Sequence, residues 1–399
     1  MNSALPTLMA PTPSAKMAPL KLERIETWIY SAEVKKPVVS TLASITKRVA
    51  LLIRVEDSDG AFGWGEVYST LPSFGATHRA QIVHQLLSPR LRQLVLTEPT
   101  QAWRLLTIAL QAMVIQTGEP GPIAAAISGL DVALWDLFAR KAGLPLVQYL
   151  GGTARPLRVY ASGLNPADGP EVVEISRSKG YTGFKQKIGF DAESDLSNLC
   201  RITQEMVPGE CLMVDVNQGW RLEEALAMAA KLSVFNLKWI EEPLMANAPS
   251  EHWRACARAF SAPLAGGENL RAGDFARHSE WLSFIQPDVG KWGGISANGS
   301  IAQALQATPA QYGQHKTYCP HWLGSGIGLM ASAHLLSATS SDGLLEVDVN
   351  ENPLREILCL PFPDLKDGHL HLSQQPGLGV HPDLDGAKPW LINQEETRL

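Results

Sequence analysis

The 399-residue chain has few of the features that direct a protein out of the cell or onto a nucleic acid. Its five cysteines are odd in number, scattered and without a CxxC pair, which argues against a disulfide framework or a zinc knuckle. The formal net charge is −6, and no Lys/Arg run offers a nucleic-acid footprint. No stretch reaches the ~20 apolar residues of a membrane span. We therefore expect a cytoplasmic protein without nucleic-acid or membrane partners.

The residues that are present suit a globular protein with more than one domain. Hydrophobic residues make up 45% of the chain and charged residues 19%, which is enough for a sizeable core. The length predicts a large domain with a smaller companion. Residues 1–19 are rich in Pro, Ala, Ser and Met, and Pro11 and Pro13 interrupt any apolar leader, so we expect a disordered tail.

Residues 20–150 read as strands followed by helices. The runs 49–56 and 61–66 flank an Asp-Gly turn and predict a β-hairpin. Apolar residues spaced i, i+3, i+4 between Ile123 and Leu137 predict one helix, which Gly143 should end. Strands and helices that do not alternate indicate a separate α+β capping domain.

Residues 151–349 alternate apolar segments with helix-length spacers. The segments lie near 157–164, 183–189, 211–217, 238–244, 263–269, 283–290, 312–321 and 343–349. Eight such units predict an α/β fold, a modified TIM (β/α)8-type barrel. We expect residues 350–399, which hold many prolines and no further unit, to return to the capping domain.

Polar residues stand at the ends of successive apolar segments, about 20 to 33 residues apart. They are Lys187, Asp215, Glu241, Glu268, Asp288, His321 and Glu346. Because the carboxyl ends of barrel strands meet at one mouth, we expect these side chains to converge there.

Lys185 and Lys187 should face the same side of their strand, since they are two residues apart. Repulsion between two ammonium groups in a partly desolvated cavity should lower at least one pKa toward neutrality, which would make a general base. The alternative is a solvated pair on an edge strand. The flanking Phe184 and Ile188 and the following Asp215 disfavour that interpretation.

Asp215, Glu241 and Glu268 offer three hard oxygen ligands, which suit Mg²⁺ better than zinc. The alternative is three unrelated caps or ion-pair partners. Asn217 shares the face of Asp215 and is therefore placed near the metal shell or the substrate. Glu241 and Glu242 must point to opposite sides of their strand, and alternation does not decide which faces inward.

Asp288 and His321 form a candidate dyad, in which the aspartate fixes the imidazole tautomer. His315 competes for the histidine role. The run Gly324-Ser-Gly-Ile-Gly, about 20 residues before Glu346, raises a dinucleotide-binding alternative. Leu329 stands where that motif needs its third glycine, so a tight turn after His321 is the preferred interpretation.

Taken jointly, these motifs resemble the enolase superfamily and, within it, the mandelate racemase subgroup. The resemblance is carried by Phe-Lys-Gln-Lys-Ile-Gly, Val-Asp-Val-Asn-Gln, Trp-Ile-Glu-Glu-Pro, Gly-Gly-Glu-Asn, Gln-Pro-Asp-Val-Gly-Lys-Trp, Cys-Pro-His-Trp and Leu-Leu-Glu-Val-Asp, with the helix at 128–137.

The resemblance implies a role for each of these residues. Lys187 is the base and Lys185 lies beside the substrate carboxylate. Asp215, the first glutamate Glu241, and Glu268 hold one Mg²⁺ per site, with Mn²⁺ as an alternative ion. Asp288 and His321 form the second base, and Glu346 hydrogen-bonds the developing enediolate, for which we expect it to be protonated.

The implied chemistry is removal of the proton α to the carboxylate of a small molecule. The favoured outcome is dehydration of an acid sugar to a 2-keto-3-deoxy acid, and racemisation or epimerisation of a 2-hydroxy acid is the alternative. A non-catalytic binding barrel is the alternative from another class. Capping-domain loops near 35–44 and 68–75 should set specificity. Ser40 and Lys291, with Asn217, are predicted to bind substrate, and we expect a homo-oligomer.

Overall fold

A computed structural model describes residues 11–72, 74–278, 280–307, 316–339 and 341–399. His315, residues 312–315 of the seventh predicted segment, and residues 1–10 of the expected tail lie outside this set. Residues 11–19, expected to be disordered, differ from that expectation. The Ser14 amide donates to the Tyr149 carbonyl at 2.9 Å, and its hydroxyl donates to the Gln148 carbonyl at 2.7 Å. These bonds hold this part of the chain against the body of the protein.

The described residues of the N-terminal region form four strands and six helices, with a π-helical turn at Ile82–Leu87 between the first two helices. In order they are β1 Leu20–Val39, β2 Ser44–Asp57, β3 Phe62–Val67, α1 Gly75–Gln81, α2 Ser88–Leu91, β4 Val95–Leu96, α3 Thr100–Ala109, α4 Gln111–Thr117, α5 Pro120–Lys141 and α6 Leu146–Tyr149.

Alternating strands and helices follow. They are β5 Leu157–Leu164, α7 Gly169–Ser178, β6 Gly183–Lys187, α8 Ala192–Gln204, β7 Cys211–Asp215, α9 Leu222–Leu232, β8 Leu237–Glu241, α10 Ser250–Ala259, β9 Leu264–Gly266, a 3₁₀ turn Ala272–Asp274, α11 Phe275–His278, β10 Leu282–Ile285, α12 Gly294–Ala307, β11 Thr317–Tyr318, α13 Gly326–Ala338 and β12 Leu345–Asp348.

The remaining elements are short apart from the last. They are α14 Pro353–Ile357, β13 Leu365–Lys366, β14 His369–Leu370, a 3₁₀ turn Lys388–Trp390 and β15 Leu391–Arg398. β15 pairs antiparallel with β1 of the capping sheet, while β14 pairs with β5 of the barrel sheet.

Eight parallel strands form the large sheet in the order β12-β5-β6-β7-β8-β9-β10-β11. Every predicted apolar segment overlaps one of them, so the predicted fold class is confirmed. Among the described residues no ladder joins β11 to β12. The Leu344 amide contacts the Cys319 Sγ at 3.3 Å across that gap.

The predicted hairpin and helix are also confirmed. β2 and β3 pair antiparallel, and Asp57 Oδ1 accepts from the amides of Asp59 and Ala61 inside the turn. The helix is α5, which crosses β3 closely. A Cβ atom on Gly65 would lie 2.0 Å from the Gly129 carbonyl oxygen, so only glycine permits this approach. The contact fixes β3, and with it Glu66, against α5.

One described helix is long and apolar enough to cross a membrane by length and composition, and it is α5. The sequence reading, which found no such stretch, missed it. Within the protein, 89% of the relevant window is buried. It is therefore the core helix of the capping domain.

Candidate active site

The parallel register brings the predicted polar residues to the carboxyl ends of neighbouring strands. Lys187, Asp215 and Glu241 are the last residues of β6, β7 and β8, and they pair in register across the sheet. Glu268 follows β9 and Glu346 lies in β12. All five side chains are buried, because the capping domain covers this end of the barrel.

Lys185 is enclosed by carboxylates. Its Nζ lies 2.7 Å from Glu241 Oε1 and 2.7 Å from Glu346 Oε1. Burial opposes the ammonium charge, but Glu241 and Glu346 outweigh it and raise the pKa of Lys185 well above its usual value. At least one of the two lysines was expected to have a lowered pKa, and for Lys185 the shift is in the opposite direction, because Glu241 and Glu346 lie beside its ammonium group.

Lys187 points into the same cavity. Its Nζ donates to Asp215 Oδ2 and to Asn217 Oδ1, each at 2.6 Å. Asn217 adopts a left-handed backbone with φ of 45°, and its amide donates to Asp215 Oδ1 at 2.8 Å. These bonds fix the direction in which the Lys187 ammonium points.

Glu241 is the last residue of β8, and Glu242 directly follows it. Glu241 faces Lys185 and also accepts from Trp239 Nε1 at 3.0 Å and Gln286 Nε2 at 2.7 Å. Burial, reinforced by repulsion from Asp215, raises the pKa of Glu241 to about 7. The first glutamate is thus the one beside the predicted base pair.

Glu242, which the sequence analysis assigned no role, is also buried at the mouth. It accepts from Asn269 Nδ2 at 2.8 Å, and its backbone φ is 40°. Burial and the neighbouring Glu268 raise its pKa well above the usual value. The spacing of acidic residues in the sequence does not reveal that Glu242 is both buried and held in a left-handed backbone conformation.

Glu268 joins the two sides of the site. Its Oε2 lies 2.5 Å from Lys291 Nζ and 3.5 Å from His321 Nε2. Although burial opposes ionisation, His321 and Lys291 hold the pKa of Glu268 well below its usual range. Lys291 also lies 4.5 Å from the ring centroid of Tyr68, the first residue of the predicted specificity loop 68–75 of the capping domain.

Asp288 and His321 lie on neighbouring loops, joined by an isolated bridge. His321 Nδ1 lies 2.7 Å from Asp288 Oδ2, so Nε2 faces the carboxylate cluster. Burial opposes protonation, but Glu268 and Glu346 outweigh it and raise the pKa of His321 to about 9. This arrangement orients the imidazole as a proton carrier pointing into the mouth.

Glu346 accepts from Ser162 Oγ at 2.5 Å and from the Trp322 amide at 3.1 Å. Although burial favours the neutral acid, Lys185 and His321 lower its pKa. The expectation of a protonated Glu346 was therefore wrong for these surroundings, because two basic side chains, Lys185 and His321, lie beside this carboxylate. Ser162 and Trp322 are further residues that spacing did not indicate.

Ser40 differs from the other two residues predicted to bind substrate. Asn217 and Lys291 lie within the cluster, whereas the hydroxyl of Ser40 accepts from the Ala43 amide at 3.2 Å within its own turn. The neighbouring Thr41 reaches the barrel instead, with Oγ1 2.8 Å from the Asn217 carbonyl.

The residues fit a divalent cation in their chemistry. Asp215, Glu241 and Glu268 present only oxygen donors, the set that Mg²⁺ prefers. Among the described residues no three acidic, histidine or cysteine side chains already surround one point closely enough to hold an ion. Each of the three carboxylates instead contacts a lysine ammonium, which balances its charge.

The fold and this mouth define an enzyme of the enolase superfamily, in agreement with two family models. Residues 170–386 match the enolase C-terminal domain-like model. Residues 24–151 match the N-terminal domain of mandelate racemase / muconate lactonizing enzyme. The chain belongs to the mandelate racemase/muconate lactonizing enzyme family.

Relatives of known structure or activity cover most of the chain. The L-talarate/galactarate dehydratase of Salmonella typhimurium is 31% identical over 349 residues, 84% of this chain and 81% of that protein. A mandelate racemase/muconate lactonizing enzyme from Bordetella bronchiseptica RB50 is 42% identical with a TM-score of 0.83, covering 93% of this chain and 99% of that one. A racemase from Streptomyces coelicolor A3(2) with bound magnesium is 25% identical with a TM-score of 0.83, and the match covers 93% of this chain and 100% of that one.

Curated relatives include acid-sugar dehydratases, cycloisomerases and o-succinylbenzoate synthases. The chain is thus an enzyme, which removes the non-catalytic alternative. Cycloisomerisation is a reaction type that the sequence reading did not weigh.

Proposed function

We propose that this enzyme removes the proton α to the carboxylate of an acid sugar and expels the β-hydroxyl, giving a 2-keto-3-deoxy acid, with one Mg²⁺ per site and Mn²⁺ as an alternative ion. One observation carries the proposal. Two groups that can transfer protons face one cluster of carboxylates. Lys187 Nζ lies 2.6 Å from Asp215 Oδ2, and His321 Nε2 lies 3.5 Å from Glu268 Oε2.

The roles follow from the contacts. Lys187, held by Asp215 and Asn217, takes the α-proton, while Lys185 supplies positive charge beside the substrate carboxylate. Removing that proton places a second negative charge beside the first. A divalent cation, when bound by Asp215, Glu241 and Glu268, would supply the positive charge that stabilises it.

His321 decides the outcome in this proposal. Asp288 holds Nδ1, so only Nε2 is free to deliver a proton into the mouth. Delivery to a departing β-hydroxyl completes dehydration, whereas delivery to the opposite face of the α-carbon completes racemisation. The similarity to an acid-sugar dehydratase at 31% identity favours the first, and the 25% identical racemase keeps the second as the alternative.

A panel of galactarate, L-talarate and several 2-hydroxy acids, incubated with the enzyme and Mg²⁺ in D₂O, tests the proposal. A 2-keto product indicates dehydration, and deuterium at the α-carbon without that product indicates racemisation or epimerisation. Failure of every compound to exchange its α-proton would overturn the proposed chemistry for this panel.

Two substitutions test the roles of the bases. We expect Lys187→Ala and His321→Asn each to lower turnover by about 10²–10⁴-fold, the usual contribution of a general base or acid. Lys179→Ala and His371→Asn, both at exposed positions, are the matched controls. Near wild-type turnover in either test variant would remove that residue from the mechanism.

Metal dependence has its own test. EDTA should abolish turnover and added Mg²⁺ should restore it, and EDTA already saturated with Mg²⁺ serves as the control. Activity that survives complete chelation would contradict the assignment of Asp215, Glu241 and Glu268 as ligands.

The enzyme is further proposed to be a cytoplasmic homo-oligomer. All five cysteines are free, and the capping domain exposes large apolar side chains such as Phe74, Ile108 and Ile115. Sedimentation velocity at micromolar concentration would give the oligomeric state, and a single monomeric species would contradict this part.

A further inference from the structure

The glycine-rich run after His321 is closed by a carboxylate from the other domain. Glu66, near the end of β3, is buried, and its Oε1 accepts from the Ser325 amide at 2.6 Å. Its Oε2 accepts from Ser325 Oγ at 2.7 Å and from the Gly328 amide at 2.9 Å. These amides belong to the start of α13, where backbone N–H groups have no partner within the helix and favour negative charge.

Trp322 transmits this contact to the catalytic mouth. Its indole Nε1 donates to the Ser325 carbonyl at 2.7 Å, and it directly follows His321 in the chain. A Cβ on Gly328 would lie 2.1 Å from the indole ring, and one on Gly290 would lie 2.5 Å from it. The ring is therefore packed between the first turn of α13 and the loop that carries Asp288.

Because of the contacts around Glu346, a shift of the loop that carries Trp322 would displace His321 more than Glu346. The Trp322 amide donates to one carboxylate oxygen of Glu346, whereas Ser162 Oγ and Lys185 Nζ contact the other. A shift of the Trp322 loop would leave Glu346 anchored. His321 is held on the barrel side mainly by Asp288, so its position depends more directly on this loop.

The geometry points to Glu66 as a positioning residue, which through Ser325 and Trp322 fixes the loop that aims His321 Nε2 into the mouth. Within the described part of the chain, the hydrogen bonds of its carboxylate go to Ser325 and Gly328. Its burial raises the pKa of the carboxyl to about 7, with the bonds from Ser325 and Gly328 acting in the opposite direction. The glycine run is thus the docking point of a capping-domain side chain. The catalytic consequence rests on the proposed function of His321.

Hydrogen–deuterium exchange of the protein tests the contact without any substrate. We expect Glu66→Gln, which replaces one acceptor oxygen by a donor, to speed exchange about tenfold in peptides covering 320–330. Asp57→Asn is the matched control, because Asp57 is a buried acid of the same hairpin that also accepts from two amides. Equal protection of 320–330 in wild type and Glu66→Gln would overturn the contact.

The catalytic role is tested with the compound that the panel identifies. We expect Glu66→Gln to lower turnover about 10- to 100-fold, since displacement by about 1 Å has that effect, and to change Lys187-catalysed α-proton exchange by less than about twofold. In a His321→Asn background the Glu66 substitution should have no further effect on exchange.

Other outcomes refute the positioning role and remain distinguishable. Equal losses of turnover and of α-proton exchange, or full turnover in a folded Glu66→Ala variant, would overturn it. If wild type exchanges no panel compound, the proposed function fails while the hydrogen-exchange comparison still decides whether Glu66 orders the loop.

Discussion

Alanine at position 328 tests the packing around Trp322 most directly. Gly328 lies in the first turn of α13, where alanine would normally be favoured over glycine by about 1 kcal/mol. A Cβ there would lie 2.1 Å from Trp322 Cζ2 and 2.3 Å from Cε2, which is well inside contact distance. Overpacking of this kind costs about 1–3 kcal/mol, and the rigid indole favours the upper part of that range. We therefore expect Gly328→Ala to lower the free energy of unfolding by about 1–2 kcal/mol.

The assay is urea denaturation of four proteins: wild type, Gly328→Ala, Trp322→Phe and the double variant. Phenylalanine lacks the outer indole ring that the new methyl group would meet. In that background the alanine should therefore be neutral or stabilising by up to about 1 kcal/mol. The close packing of Gly328 against the Trp322 ring would be refuted if Gly328→Ala were as stable as wild type, or if the stability changes of the two substitutions were simply additive.

Two further predictions concern stability. Burial raises the pKa of Asp131 to about 7, although the hydrogen bonds from Ser296 act in the opposite direction. Because this folded-state pKa lies above the unfolded value, the neutral acid contributes stability below about pH 4. That contribution is lost as the pH rises toward 7. Asp131→Asn should flatten that slope in thermal melts at pH 4, 5.5 and 7, and an unchanged slope would contradict this assignment. Arg48 and Asp348 form a buried pair at 2.7 Å between β2 and the end of β12. Arg48→Met should lower the free energy of unfolding, measured by urea denaturation, by about 3–5 kcal/mol. The control Lys47→Ala, at an exposed position, should lower it by about 0–1 kcal/mol. A loss for Arg48→Met as small as that of the control would contradict a stabilising role of the pair.

The barrel elements and most of the mouth were predictable because both depend on local rules. Parallel strands share one direction, so residues that end successive apolar runs must come together at the same edge. Asp215 and Glu241 illustrate this, each ending its strand in register with the next. Strand alternation did not decide between Glu241 and Glu242, since it separates the pair without naming the inner face, and only the family resemblance pointed to Glu241.

The electrostatics were predicted less well, because pKa values depend on charges that are distant in sequence. Lys185 takes its raised pKa from Glu241 and Glu346, neither of which is its sequence neighbour. Repulsion between Lys185 and Lys187, the basis for expecting at least one lowered pKa, therefore does not determine the pKa of Lys185. The same reason applies to Glu346, whose charge Lys185 and His321 stabilise.

The amino-acid sequence by itself determined the repeating strand–helix units, the family motifs and the acids and bases that end the strands, because periodicity and spacing are encoded residue by residue. Only the tertiary structure decided how the capping domain meets them. It brings Thr41 rather than Ser40 to the loop that follows β7, places Tyr68 against Lys291, and places Glu66 at the start of the helix after His321. These contacts join residues of separate domains, and such pairings arise from packing, which no local pattern specifies.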